Sequence, residues 1–259
     1  DIGKIRRNFS RAAGSYNENA VFQRDSARAL ADFARNSGVG SKRVSRVLEV
    51  GCGTGFFTAR LMAMFPGAEF RINDLSPEMV GMCEAATADV RRSSGTRAVF
   101  ASGDAMCELD GRAKYDLVAA SMVFQWADDI AGLMRGVSAS LSDGGTLLFS
   151  TLCEGTFSSL KTAFDSAGRE YPFAGLLPAE KIRDACAGFY SVRFREDLFV
   201  EKHRSALDFL RRLRGTGAVN PSFDAVPAPV VRRVIACYPK AEGGGVAAEY
   251  RPAYFVCEK

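Results

Sequence analysis

Val47-Leu48-Glu49-Val50-Gly51-Cys52-Gly53-Thr54-Gly55 is the stretch that decides the fold. The apolar run Val44, Val47, Leu48 and Val50 reads as a buried strand of a parallel sheet. It breaks into three glycines, and a helical pattern follows from Phe56 to Phe65. Without a Cβ, glycines at this spacing let the backbone turn sharply and approach a ligand closely. The helix start beneath them offers N–H groups with no intrahelical partner. Strand, glycine turn and helix would by themselves suit a dinucleotide. Glu49, two residues before the first glycine, argues otherwise, because its charge would repel a pyrophosphate and attract a ligand carrying a cation. The plainer alternative is a glycine-rich turn with no ligand.

Other strand ends converge on the same place. A second strand, Glu69 to Leu75, brings in Asp74, 25 residues after Glu49. An acid at that position can accept both hydroxyls of a ribose. Ser76 is an N-cap and Pro77 a first helical residue, so a helix begins there. Met79 on its first turn either packs its soft side chain on a ligand ring or simply fills the core. A third strand, Arg97 to Ser102, leads into Gly103-Asp104-Ala105, where Asp104 taken alone is an ordinary turn residue. A fourth strand covers Tyr115 to Ser121, and a helix Asp128 to Leu141. A turn follows at Ser142 to Gly145, then a fifth strand from Thr146 to Thr151. Alternating units of this kind imply an α/β fold, a parallel sheet with helices on both faces. Such sheets bind ligands at the carboxyl ends of their strands, where Glu49, Asp74, Asp104 and Ser121 all fall. Beyond the core, Val192 to Val200 alternates like a half-exposed strand, and Ala253 to Cys257 reads as the last strand.

Composition narrows the class. With 259 residues, 47% of them apolar, the chain can bury a substantial core, and one domain with insertions fits it. No apolar run reaches the roughly 18 residues that span a bilayer, and no secretory pattern is visible. Seven scattered cysteines without a C-x-x-C pair suit reduced thiols in the cytoplasm and argue against a metal site. A net charge of +4 is too small to suggest a nucleic-acid partner.

The glycine stretch resembles motif I of the class I methyltransferases. That resemblance implies a Rossmann-like, seven-stranded and mostly parallel sheet carrying helical lid insertions, with the seventh strand antiparallel at the edge. It implies S-adenosylmethionine as cofactor and S-adenosylhomocysteine as product. The sulfonium and ammonium of this cofactor suit Glu49, and it carries no phosphate. The implied cofactor site comprises Glu49, Gly51, Cys52, Gly53, Gly55, Asp74, Leu75, Met79, Asp104, Ala105, Ser121 and Met122. In it Asp104 serves the adenine amino group, and the neighbouring backbone N–H a ring nitrogen.

A closer resemblance covers nearly the whole chain. Phe9 to Arg24 (F-S-R-A-A-G-S-Y-N-E-N-A-V-F-Q-R), Ser121 to Trp126 (S-M-V-F-Q-W), Ser150 to Thr156 (S-T-L-C-E-G-T) and Leu210 to Ala218 (L-R-R-L-R-G-T-G-A) are similar to the biotin-pathway malonyl-[acyl-carrier protein] O-methyltransferase family. The ending, Y-P-K to Y-F-V-C-E-K, is similar too. A short loop from Thr216 to Pro227 and the Ser158-Ser159 pair depart from some relatives. The resemblance implies a single methyltransferase domain over 1–259. Its parts would be an N-terminal helical cap (1–40), a cofactor-binding core (44–152), a helical segment (153–190) and a lid-like insertion (203–247). The amphipathic stretch Ile5 to Ala34 supplies the cap, with Phe9, Ala12, Ala13, Tyr16, Ala20 and Leu30 on its apolar face.

The implied reaction is methylation of the free carboxyl of malonyl on acyl carrier protein. A malonyl carboxylate is already ionised at neutral pH, so no general base is required, and the chain has a single histidine, His203. Tyr16 is read as a phenol donor and Trp126, with Phe124, as a flat wall beside the methyl group. Arg211 or Arg214 is read as the clamp on the substrate carboxylate, against the plainer reading of a solvated helix face. Arg204, Arg211, Arg212, Arg214, Arg232 and Arg233 make the lid basic, which suits an acidic carrier protein. Two other readings stay open. One is a methyltransferase of the same fold acting on another carboxylate or a quinone ring; the other is a cofactor-binding assembly factor without turnover.

Overall fold

The apolar run around Glu49 forms β1 (Arg46–Val50), and the computed structural model describes residues 2–172, 175–218, 223 and 226–259. The chain divides into two compact units. One, the sheet unit, comprises Gln23–Thr151, Pro178–Glu196 and Ala253–Lys259; the second comprises Asp1–Phe22, Leu152–Leu177 and Asp197–Pro252.

In the sheet unit, β1 is joined by β2 (Glu69–Asp74), β3 (Arg97–Ser102), β4 (Tyr115–Ser121), β5 (Leu141–Leu152), β6 (Ser191–Glu196) and β9 (Pro252–Glu258). Their order is β3-β2-β1-β4-β5-β9-β6. The pairs β1–β2, β1–β4, β2–β3 and β4–β5 are parallel, and β6–β9 is antiparallel. This is the expected seven-stranded, mostly parallel α/β architecture, with the final strand next to the edge and β6 outside it. The order reverses between β1 and β4, and the crevice at such a switch point is where doubly wound sheets take their ligands. Central strands covered on both faces read as unbroken apolar runs. Accordingly Val47, Leu48, Val50, Leu117, Val118, Leu147 and Leu148 are all fully buried.

Helices follow the strands: α3 (Thr58–Met64), α4 (Pro77–Ala86), α5 (Ala88–Ser94), α6 (Ala105–Glu108) and α7 (Ile130–Ser140), with α9 (Ala179–Ala185) before β6. Ser76 caps α4 as expected, its Oγ accepting the Met79 N–H at 3.2 Å, with Pro77 at the first helical position.

Four expectations are corrected. The N-terminal stretch is two helices, α1 (Ile2–Asn19) and α2 (Val21–Asn36), separated at Ala20. The expected turn at Ser142–Gly145 lies inside β5 as a bulge. Tyr115 pairs with Leu141 and Leu117 with Thr146, and Gly144 takes a φ of 73°. The helix after the glycines begins only at Thr58. Finally, Val192–Val200 is two strands. β6 stops at Glu196 opposite Ala253, and β7 (Phe199–His203) pairs antiparallel with β8 (Val246–Tyr250). The break lies where Asp197 N–H donates to the carbonyl of Pro252 at 2.9 Å. Proline has no N–H to extend the ladder.

The second unit contains α1, the β7–β8 ribbon, α8 (Ser158–Ser166), α10 (Ala206–Gly215) and α11 (Ala228–Ala236). Its core is aromatic: Phe22 stacks on Tyr250 at 4.0 Å, and Phe157 meets Tyr250 at 4.9 Å and Phe209 at 5.4 Å. Helices α1 and α10 pack together, Ser15 Oγ donating to the Gly215 carbonyl at 3.2 Å. Parts of the expected Pro/Gly-rich turn (173–174) and lid loop (219–222, 224–225) lie outside the described residues. Among the described residues no helix is long and apolar enough to cross a membrane.

Candidate active site

Glu49 stands near the carboxyl end of β1 and is 1% exposed. Its Oε2 is buried without a hydrogen-bond partner. Burial pushes its carboxyl well above the usual range, Cys83 and Asp74 add to the rise, and a hydrogen bond from Thr58 opposes it. A buried carboxylate left this way is costly unless a cation or donor meets it.

The glycine turn wraps the end of this strand. Gly51 has a φ of 69°, and a methyl group added there would overlap Val123 Cγ2, so β1 and β4 meet at this glycine. Gly53 has a φ of 52°, and a Cβ there would meet nothing within 4 Å, which leaves open space beside the turn. Its N–H donates to Asp74 Oδ2 at 2.8 Å, while Asp74 Oδ1 accepts from the Ser76 N–H at 2.9 Å. Asp74 therefore ties the turn to the β2 exit, a task that the sequence reading did not assign to it. Each of its oxygens keeps acceptor capacity beyond these bonds. Burial raises the Asp74 carboxyl, against lowering by the N–H groups of Ser76, Gly53 and Leu75. The Cys52 N–H donates to the Asn73 carbonyl at 3.0 Å, a second tie between the same strands.

Around this centre, Met79 is 1% exposed on the first turn of α4. The Gly103 N–H donates to the Asp74 carbonyl at 2.9 Å and so brings the β3 exit alongside β2. Asp104 is exposed and caps α6, Oδ1 accepting from Met106 at 2.9 Å, and Ala105 follows it as the first helical residue. Leu75 is half-buried between Asp74 and Ser76. At the β4 exit, Ser121 Oγ lies 3.4 Å from Ser150 Oγ, and Met122 takes a left-handed φ of 57°. Trp126 is half-buried at the end of a 3-10 turn, Phe124–Trp126, anchored by Phe124 against Phe149 at 4.8 Å. The sheet unit thus gathers the expected Glu49, glycine, Asp74 and Met122 positions at neighbouring strand ends. Thr58, Gln125 and Thr151 join them unforeseen. Only a hydroxyl on the first turn of α3 and the amide before Trp126 hint at them in the sequence.

The remaining candidates belong to the second unit. Tyr16 is buried on α1. Arg211 and Arg214 are exposed on α10, opposite buried Phe209, Leu210 and Leu213, and the Arg214 guanidinium lies 5.7 Å from the Phe223 ring centre. Arg212 faces Glu201 at 3.8 Å and Asp208 at 3.9 Å. His203 is buried with both ring nitrogens unpartnered, each 3.9 Å from a carboxylate of Glu201 or Asp208. Burial above all, then Arg212, holds it below the usual histidine range, so it is neutral at pH 7.

The methyltransferase domain family matches residues 48–147, which begin within β1 and end in β5. Over 235 residues the chain is 31% identical to the malonyl-[acyl-carrier protein] O-methyltransferase of Magnetococcus marinus, spanning 90% of this chain and 84% of that one. This chain belongs to that family. The enzyme of the same name from Hahella chejuensis is 32% identical over 256 residues, 96% of this chain and 88% of the other. Among solved structures, geranyl diphosphate C-methyltransferase from Streptomyces coelicolor shares the fold with a TM-score of 0.50 at 14% identity, covering 90% of this chain and 78% of that one. That structure is a complex with Mg2+, geranyl diphosphate and S-adenosyl-L-homocysteine. As a member of this family, the chain is an S-adenosylmethionine-dependent O-methyltransferase.

Proposed function

We propose that this enzyme methylates the free carboxylate of a malonyl group carried on acyl carrier protein, the step that opens biotin synthesis. The observation that carries the reading is the buried Glu49 carboxyl at the switch point, with one oxygen unpartnered, in a chain similar over 90% of its length to an enzyme named for that substrate. The site's chemistry fits the cofactor: a buried carboxyl oxygen without a partner for a cationic group, and open space beside Gly53 for a close approach. S-adenosylmethionine supplies the methyl group from its sulfonium. Glu49 would meet the ammonium, Asp74 the ribose hydroxyls, and Met79, Asp104 and Ala105 the adenine.

The substrate carboxylate arrives ionised, so the protein's task is to orient it and exclude water. Fixing two reactants in line supplies on the order of 7–11 kcal/mol of a barrier. Trp126 offers the flat apolar wall and Tyr16 a phenol donor. Arg211 or Arg214 clamps the carboxylate, and the exposed Arg204, Arg232 and Arg233 meet the acidic carrier. The test is methyl transfer from labelled S-adenosylmethionine to malonyl-, acetyl- and unacylated carrier protein. Transfer to the malonyl form alone is expected. Transfer instead to free acids or to a quinone would replace this reading with another acceptor.

A further inference from the structure

The exit of β4 holds a strained residue whose backbone is pinned from both sides. Met122 is a non-glycine residue at φ 57°, a region that L side chains rarely occupy outside sites where surrounding contacts impose it. Its N–H donates to the Ser150 carbonyl at 2.9 Å and lies 3.3 Å from Ser150 Oγ. Its carbonyl accepts from Gln125 Nε2 at 2.7 Å. The other end of the same amide is held in turn: Gln125 Oε1 accepts from Thr151 Oγ1 at 3.2 Å, and Thr151 is buried in β5. Gln125 therefore bridges the β5 strand and the carbonyl of Met122.

The consequence reaches the glycine turn. Val123, the next residue, lies so close to Gly51 that a methyl group at 51 would overlap it. The β4 exit is thus one wall against which the β1 turn is set. The same Gln125 sits within the 3-10 turn that ends at Trp126, whose N–H donates to the Val123 carbonyl at 3.0 Å. We infer that Gln125 is a positioning residue: its side-chain amide clamps Met122 in the left-handed conformation and so holds the β4 exit in register with the glycine turn, setting affinity for the cofactor. The inference rests on reading this switch point as the cofactor site.

The donor character of the Gln125 amide is what the test must isolate. Calorimetric binding of S-adenosylhomocysteine is measured for wild type, Gln125→Ala and Gln125→Glu from pH 5 to pH 8, as the ratio of variant to wild type at each pH. Gln125→Ala should bind about 10-fold more weakly at every pH, the loss of one partly buried hydrogen bond. Gln125→Glu should bind at least as weakly at pH 8, where a carboxylate faces the Met122 carbonyl. It should recover towards wild type as the pH falls, because the protonated acid regains an O–H donor. A structural role alone would not produce that recovery. Ratios within twofold of wild type throughout, or a Gln125→Glu loss that does not change with pH, overturn the inference. Thr151→Val, which removes the anchor and leaves Gln125 in place, should weaken binding about threefold; unchanged affinity counts against the clamp even if the Gln125 variants fail to fold. Absence of binding by wild type would instead remove the cofactor reading, and the clamp's role with it.

Discussion

Under the proposed role of Glu49 as the partner of the cofactor's cation, stability and function oppose one another at this residue. A carboxyl buried to 1% exposure with one oxygen unpartnered destabilises the empty protein, whereas the same group is a strong partner for a bound cation. The sign of the pH dependence follows. Its folded value is raised above the ordinary 4.5, so between the two values the folded chain holds a proton that the unfolded chain releases. Its contribution to stability is therefore full below the ordinary value and is lost as pH rises through the folded one. Cofactor affinity should move oppositely, rising across that window as the carboxylate forms. Glu49→Gln should raise the melting temperature of the empty enzyme at neutral pH. It should weaken S-adenosylmethionine binding by roughly 10-fold or more, the loss of a charge-assisted contact. It should also flatten the pH dependence of that affinity. Calorimetry and thermal melts on one preparation check all three. A variant that binds as wild type would show that Glu49 does not face the cofactor's cation.

At the scale of elements, the β1 turn and the β4 exit act together through Gly51 and Val123. Gly51→Ala adds a methyl group both at a left-handed φ and against Val123, so two costs combine. The positive φ costs on the order of 1–2 kcal/mol wherever Val123 points, and overpacking adds about 1–3 kcal/mol. Val123→Ala should recover only the second part. A double-mutant cycle by denaturant unfolding should then show a coupling of about 1 kcal/mol or more; additive losses would mean that the two elements do not press on each other. This contact also marks the limit of what the sequence discloses. The glycines and the Ser76-Pro77 cap are legible because each is a local choice of residue type imposed by a turn or a helix start, and Glu49 and Asp74 because each is an acid near the end of an apolar strand. Which side chain Gly51 must clear is not legible, since Val123 lies far along the chain, in the segment that leaves β4. For the same reason Val192–Val200 reads as one strand. Its alternation is continuous, and only Pro252, far along the chain, ends the ladder at Glu196. The bulge at Ser142–Gly145 carries turn residues that the sequence shows, but their inclusion within β5 depends on pairing with Tyr115 and Leu117. Gln125 shows in the sequence only as an amide before Trp126, and its task appears only once its partners, Met122 and Thr151, are in place.

At the scale of the whole molecule, charge divides the arginines of the second unit into two sets. Arg212 is held between Glu201 and Asp208 and is half-buried, so it serves that unit's own structure. Arg204, Arg232 and Arg233 are exposed and enter no ion pair among the described residues. A partly buried network is screened less by salt, whereas exposed charges that steer a partner are screened within about 10 Å at 0.1 M ionic strength. If the partner is an acidic carrier protein, Arg204→Glu combined with Arg233→Glu should raise KM for the malonyl carrier about 10-fold at low salt and leave kcat near wild type. The difference should shrink to within about twofold at 0.5 M salt, because steering is lost to wild type as well. S-adenosylhomocysteine affinity, which we propose depends on the strand ends of the sheet unit, should not change in the double variant. A salt-independent rise in KM would point to a lost specific contact rather than steering, and an unchanged KM would remove this face from the carrier's path.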